Sequence, residues 1–173
     1  MRNLQIIAMQ LHARRKAMSR DGKLLIIVGM QERTIHDPIC EMKILDKLIL
    51  YQHEYKHDFS SHLIYLQNFY GGEVLETLDT EEFPIIGTGA LHIEKGTLGY
   101  DKWHTEYLAD FDEIELVGVY TDTDIITNVL LLKTAFPDVE ITVDVSCCVG
   151  TTPENHKAAI QVMKACEVNI TGE

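Results

Sequence analysis

Asp124, the adjacent Cys147 and Cys148, and eight histidines are the side chains of this 173-residue sequence that first invite a chemical reading. Asp124 opens an apolar run with helical spacing. A carboxylate there accepts backbone hydrogen bonds and complements the helix dipole, a role worth about 0.5–2 kcal/mol. Cys147 and Cys148 close a strand-like run, where a thiol is either a displaced nucleophile or a packing group. With Cys40 and Cys166 they make four cysteines, too few and too irregular for a disulfide framework, and no Cys-x-x-Cys pair points to zinc. The histidines, His36, His53, His57, His62, His92, His104 and His156 among them, show no metal-ligand spacing. Phe69, Tyr70, Tyr100, Trp103 and Tyr120 fall in loops or at element ends, where flat rings could stack on a heterocycle.

Short apolar runs alternate with longer helical patterns, which predicts an α/β fold: three layers, doubly wound around a mainly parallel sheet of about six strands. Lys23–Val28 is a continuous aliphatic run buried on both sides. The spacing predicts a crossover helix over Glu41–Tyr55, with Met42, Leu45, Leu48, Ile49 and Tyr55 on its apolar side. Further strands are expected at His62–Leu66, Leu91–Glu94, Ile114–Val119, Glu140–Val145 and Glu167–Ile170. Asp122–Ala135 reads as a buried helix. A last helix opens at Thr152-Pro153-Glu154, with Thr152 as N-cap and Pro153 at the first position. Its apolar side is Ala158, Ala159, Val162, Met163 and Ala165. Phe69–Gly89 reads as a long loop over the carboxyl edge of the sheet, where ligands bind in this architecture.

Acidic residues number 27 against 15 basic ones. Five of the basic ones, Arg2, Arg14, Arg15, Lys16 and Arg20, precede the first acid at Asp21, so the remainder carries 10 bases and a formal charge of −17. That surface argues against nucleic acid and anionic membrane and favours a small molecule or a protein. Residues 1–22 are expected to form a basic extension or amphipathic helix, and 23–173 a single domain. Leu4, Ile6, Ile7, Met9 and Leu11 are interrupted by polar residues, so nothing there resembles a secretory signal or membrane span, and a cytoplasmic location is the default.

Gly118-Val119-Tyr120-Thr121-Asp122-Thr123-Asp124-Ile125 resembles the Gly-Val-x-Thr-Asp-x-Cys-Val segment of isochorismatase-like and nicotinamidase-like cysteine hydrolases. Thr142–His156 resembles the family's later segment, including its Asp, Cys, Gly, Thr-Pro-Glu and His, and adjacent cysteines there resemble the family's structural pattern, which implies that Cys147 and Cys148 are packing residues. The resemblance puts Asp124 at the position of the nucleophilic cysteine. It puts Gly29, in Val28-Gly29-Met30-Gln31, at the aspartate that acts as general base. Lys95, in Ile93–Gly99, stands where the family keeps its lysine. Asn68 and Tyr70 occupy the positions of a metal-binding Asp-x-His pair and are poor replacements for it. The resemblance further implies a cis peptide at Val119–Tyr120, backbone N–H donors of an oxyanion hole at the start of the helix that follows, and a homo-oligomer, dimer or tetramer.

A carboxylate cannot stand in for a thiolate in acyl transfer without a different mechanism, and glycine deprotonates nothing. Asp124 is therefore open to three roles: a helix-end carboxylate, an ion pair with Lys95 on a pocket floor, or a carboxylate nucleophile or base. The reading that follows is a catalytically silent hydrolase relative. It binds a small nicotinamide-like or nucleotide-like ligand through Lys95, Asp124, Tyr120, Thr121, Phe69, Tyr70, Tyr100 and Trp103, without cofactor or metal. Such a protein would suit a virus or mobile element that sequesters a nucleotide signal. The alternative is an active amidase-type hydrolase that uses Asp124 and Lys95.

Overall fold

The structure is a computed structural model, and it describes residues 22–34, 37–55, 61–73, 90–105 and 108–173. Residues 1–21 of the extension expected at 1–22, and residues 74–89 of the loop expected at 69–89, lie outside the described residues. In chain order the elements are β1 (Lys23–Val28), α1 (Pro38–Tyr55), β2 (Leu63–Asn68), β3 (Leu91–Lys95), β4 (Glu113–Val119), α2 (Ile126–Ala135), β5 (Glu140–Val149), α3 (Pro153–Ala165) and β6 (Asn169–Thr171). The six strands form one parallel sheet in the order β3-β2-β1-β4-β5-β6. The chain leaves β1 in one direction and returns to its other side with β4, so a topological switch point lies between those two strands, where doubly wound sheets bind ligands.

Successive residues of β1 point to opposite faces, and both faces are covered. Leu24, Ile26 and Val28 pack with Val129 and Leu132 of α2 and Met163 of α3. Leu25 and Ile27 pack with Cys40, Ile44 and Leu48 of α1. That is why the run Leu24–Val28 is apolar without alternation.

Several boundaries and faces differ from the sequence expectation. The buried side of α1 is Cys40, Glu41, Ile44, Leu48 and Tyr51, whereas Met42 and Ile49 are exposed. Apolar residues ring most of this helix, so spacing alone does not choose a face. The orientation adopted also brings Lys47 and Tyr51 onto a carboxylate of β4. On α3, Ala159 and Met163 are buried while Val162 is exposed. β5 continues to Val149 because its register against β4 shifts between Leu116 and Gly118, absorbing the polar Asp144 and Ser146 in an irregularity. β6 starts at Asn169 because Glu167, at a φ of 59°, terminates α3 in a left-handed turn. The start of α3 is as expected: Thr152 Oγ1 accepts from Asn155 N at 3.1 Å, with Pro153 in the first turn.

Candidate functional site

The carboxyl ends of β1 and β4 approach each other through two glycines. Gly29 has a φ of 65°, and a Cβ there would lie 2.5 Å from the carbonyl oxygen of Val119. Gly118 has a φ of 115°, and its Cβ would lie 2.2 Å from the oxygen of Val28. Both positions thus exclude a side chain, on conformational and on steric grounds. The glycine at the general-base position is built into the backbone path. The Val119–Tyr120 peptide is cis, as the resemblance implies.

Beyond it the chain enters a wide π turn, Thr121–Ile125, that runs on into α2; such turns are frequent at functional sites. The N–H groups of Thr123 and Ile125 both point to the Tyr120 carbonyl, at 3.3 and 3.0 Å. These two donors of the turn are therefore engaged within the chain.

Asp124 stands in this turn, buried, and faces Lys95 at the end of β3. The Lys95 Nζ donates to Asp124 Oδ1 and to Asn68 Oδ1, and to the Thr97 carbonyl at 3.1 Å. Those three acceptors use all the protons of the ammonium. The other carboxylate oxygen, Asp124 Oδ2, accepts from Thr123 Oγ1 at 2.9 Å. The side chains of Lys95 and Asp124 are 1% and 7% exposed, so each charge depends on the other in a poorly solvated place. Of the three roles open to Asp124, the geometry is that of the ion pair.

Two clamps hold the pair, and neither was singled out from the sequence. Asn128, fully buried one turn after Asp124, accepts from Tyr100 N at 2.9 Å and Trp103 Nε1 at 3.1 Å, and donates to the carbonyls of Leu98 and Asp124 at 3.1 and 2.7 Å. It fastens the segment after Lys95 to the helix that carries Asp124. Gln31 does the same for β2: its Oε1 accepts from Asn68 N at 2.7 Å, and its Nε2 donates to the carbonyls of Asn68 and Gly72 at 3.1 and 2.8 Å. A lone buried amide carries little sequence signal. Asn128 stands four residues after Asp124 on the same helical face, the one hint that spacing offers.

The pair floors an open cleft of about 390 Å³, lined by Asn68, Phe69, Tyr70, Lys95, Gly96, Thr97, Leu98 and Asp124. Phe69 and Tyr70 meet edge to face, with centroids 5.0 Å apart, and both are exposed. Four of the expected ligand residues, Lys95, Asp124, Phe69 and Tyr70, are therefore brought together. The others are not. Trp103 is 1% exposed and belongs to the core, its indole N–H turned inward to Asn128, so the expectation of a ring at the pocket mouth is corrected. Tyr100 packs edge-on against Trp103 at 4.9 Å and does not line the cleft. Tyr120 packs on the α1 side of the sheet. Thr121 is fully buried, with its hydroxyl 2.8 Å from His156 Nδ1.

All four cysteines are described, and none lines the cleft. Burial pushes the Cys40 thiol up to about 12 and the Cys147 thiol up to about 11, and Cys148 is raised too, again by burial. These are protonated packing groups at neutral pH, without the thiolate character of a nucleophile. The positions corresponding to the metal ligands do not fit a cation: Asn68 Oδ1 accepts from an ammonium, and Tyr70 is exposed. Among the described residues no three His, Cys, Asp or Glu side chains converge.

No protein-family model and no curated protein matches the sequence. Solved structures do match by shape. The nicotinamidase of Staphylococcus aureus superposes with a TM-score of 0.64 at 16% identity, over 88% of this chain and 99% of that one. The MAR1 ribonuclease of Caenorhabditis elegans gives 0.68 at 14% identity, over 89% and 78%. An isochorismatase-like hydrolase of Alkaliphilus metalliredigens gives 0.67 at 11% identity, over 87% and 94%. The resemblance read in the sequence and the likeness in shape agree: the chain has the isochorismatase-like hydrolase fold.

Proposed function

We propose that the protein is a catalytically silent relative of these hydrolases that holds a small planar ligand, nicotinamide-like or nucleobase-like, and releases it unchanged. The observation that carries this reading is the Lys95–Asp124 pair at the cleft floor. Where acyl transfer needs a nucleophile and a free base, this floor holds two charges that neutralise each other, and Gly29 leaves no room for a third group. The floor still offers a carboxylate and an amide to polar ring substituents, and Phe69, Tyr70 and Leu98 offer apolar surface above it.

The charge balance favours a neutral ligand. The ammonium is fully engaged, the whole chain carries −12, and residues 74–89, which follow β2, contain four acids and no Lys, Arg or His. A free nucleotide phosphate finds no cation among the described lining residues other than the engaged Lys95 and is repelled at long range. A role in sequestering a signal, as in a viral decoy, accordingly reads best for the base or amide moiety of such a molecule. Two or four copies of the chain form the expected assembly.

The test is to incubate the protein with nicotinamide and with free nucleobases, measure binding calorimetrically and analyse the ligand afterwards. The expected result is saturable binding with the ligand recovered intact. Time-dependent product that disappears in Asp124→Ala would establish the alternative hydrolase that uses Asp124 and Lys95. The double variant Gly29→Asp/Asp124→Cys is expected to gain no amidase activity, because the aspartate has no space at Gly29. Turnover by that variant would show that the backbone at β1 and β4 opens readily.

A further inference from the structure

Resting on the ligand-binding reading of the cleft, we infer that its floor reads the pairing edge of a nucleobase, with Asn68 and Asp124 as the residues that set specificity. The ammonium between them fixes the pattern. Lys95 Nζ donates to Asn68 Oδ1 and to Asp124 Oδ1, and an ammonium has donors only. It therefore orients the Asn68 amide, with Oδ1 toward Lys95 and Nδ2 turned away. Among the described residues, the hydrogen bonds of Asn68 use its Oδ1, its backbone N–H and its carbonyl. Both protons of Nδ2 remain to be given.

Asp124 supplies the opposite polarity. A carboxylate accepts at about four positions; Lys95 fills one, and Thr123 Oγ1 fills another at 2.9 Å. Because one nitrogen bonds both Oδ1 atoms, the amide and the carboxylate stand within about 6 Å of each other, two hydrogen-bond lengths. Both line the cleft. The floor thus sets a donor beside an acceptor, and the ammonium that holds them is itself saturated.

The complement of this floor is a flat edge with an N–H next to a hydrogen-bond acceptor. Every nucleobase carries that pair on the edge it uses for base pairing. Its N–H goes to the Asp124 carboxylate as a charge-assisted bond, and its acceptor takes a proton of Asn68 Nδ2; Asp and Asn read base edges in nucleic-acid grooves by the same chemistry. Phe69, Tyr70 and Leu98 offer apolar surface to the ring in the same cleft. The nitrogen that bears the sugar lies across the ring from the pairing edge, toward the open mouth, so a nucleoside is accepted as well as a free base. A carboxylate ligand such as nicotinate has no N–H to give and sets its charge against Asp124.

The test compares calorimetric binding of uridine with 3-methyluridine and of inosine with 1-methylinosine, beside nicotinamide, and analyses each ligand afterwards. In each pair the methyl group removes the N–H of the pairing edge and leaves ring, sugar and net charge alike. The expected result is that uridine or inosine binds and its methylated partner is weaker by about tenfold or more. Asn68→Asp, of nearly the same shape, exchanges the donor for a second acceptor. Guanosine carries two adjacent N–H donors where inosine has one, so the ratio of guanosine to inosine affinity should rise by about tenfold in that variant. An unchanged ratio in the folded variant would mean that Asn68 only supports Lys95 and would overturn its role. Equal binding of methylated and unmethylated nucleosides, or binding of nicotinamide alone, would overturn the inference while the silent-binder reading stands. Absence of binding by nucleosides and nicotinamide alike, or time-dependent product, would overturn both.

Discussion

The sheet carries a buried lysine–carboxylate cluster on each face, and the two differ in what covers them. On the face of α1, Lys47 Nζ bonds Glu115 Oε1 at 2.7 Å and Asp144 Oδ2 at 2.9 Å, while Tyr51 donates to Glu115 Oε2 at 3.0 Å. On the other, Lys95 meets Asp124 under an open cleft with two exposed aromatic rings. Burial alone would lower the Lys47 pKa, but the hydrogen bonds it donates to Glu115 and Asp144 hold it above its usual value. Burial would likewise raise the Asp144 carboxyl, but Lys47 and Ser146 hold it below the usual range. The first cluster ties a helix to two strands and lines neither of the two clefts formed by described residues; the second has the same chemistry with an entrance. A buried ion pair is thus no mark of a ligand site, and the space in front of it is what distinguishes the two.

Substitution should separate them. Lys47→Met removes the cation that bonds both carboxylates and is expected to cost about 3–5 kcal/mol in urea unfolding. It should leave ligand affinity of the folded protein unchanged. Asp124→Leu strands one ammonium that keeps Asn68, Thr97 and the mouth of the cleft, so about 3 kcal/mol is expected, together with loss of ligand binding. The double variant Lys95→Met/Asp124→Leu should recover most of that stability and none of the binding. If Lys47→Met abolished binding, or the double variant restored it, the division between the faces would fail.

The clamp comes next in size. Asn128→Ala breaks four hydrogen bonds in a fully buried place and leaves the Trp103 indole N–H without its acceptor, at about 2–3 kcal/mol. Because it frees the segment after Lys95, ligand affinity should fall although Asn128 lines no part of the cleft. An unchanged affinity would mean that Gln31 and Asn68 position Lys95 unaided.

How far the sequence revealed these regions follows from periodicity. β1 was legible because a strand buried on both faces is a plain aliphatic run, and the start of α3 because Thr152-Pro153 caps by local chemistry. Lys95 and Asp124 were legible through a resemblance in short segments, which places residues at the carboxyl ends of strands. What stayed hidden depended on rotation or on partners distant in sequence. The outward turn of Met42 and Ile49, the inward turn of Trp103 and the four bonds of Asn128 are decided by tertiary packing, for which local spacing has no signal. Gly29 could be read only as a missing base, because the oxygen of Val119 that fills its place lies 90 residues further along the chain.

The smallest expected effect concerns His156, whose ring touches the buried Thr121 hydroxyl at the start of the π turn. Burial lowers its pKa from the ordinary 6.5, and Lys157 acts in the same direction, while Asp122 opposes them. As pH falls from 7.5, the unfolded chain takes up the proton first, at its ordinary value, and the folded chain follows lower down. Stability from this group is therefore complete above about 6.5 and declines as the pH falls toward the folded value. His156→Gln keeps a partner for Thr121 but cannot titrate, so its urea midpoint should change less between pH 7.5 and 5.5 than that of the unsubstituted protein. Because Thr121 adjoins the turn that carries Asp124, a charged imidazole would also loosen the cleft floor, and ligand affinity should weaken over the same interval only in the protein that retains the histidine. Parallel stability curves for the two proteins would show that the ring meets solvent freely and that the turn is insensitive to it.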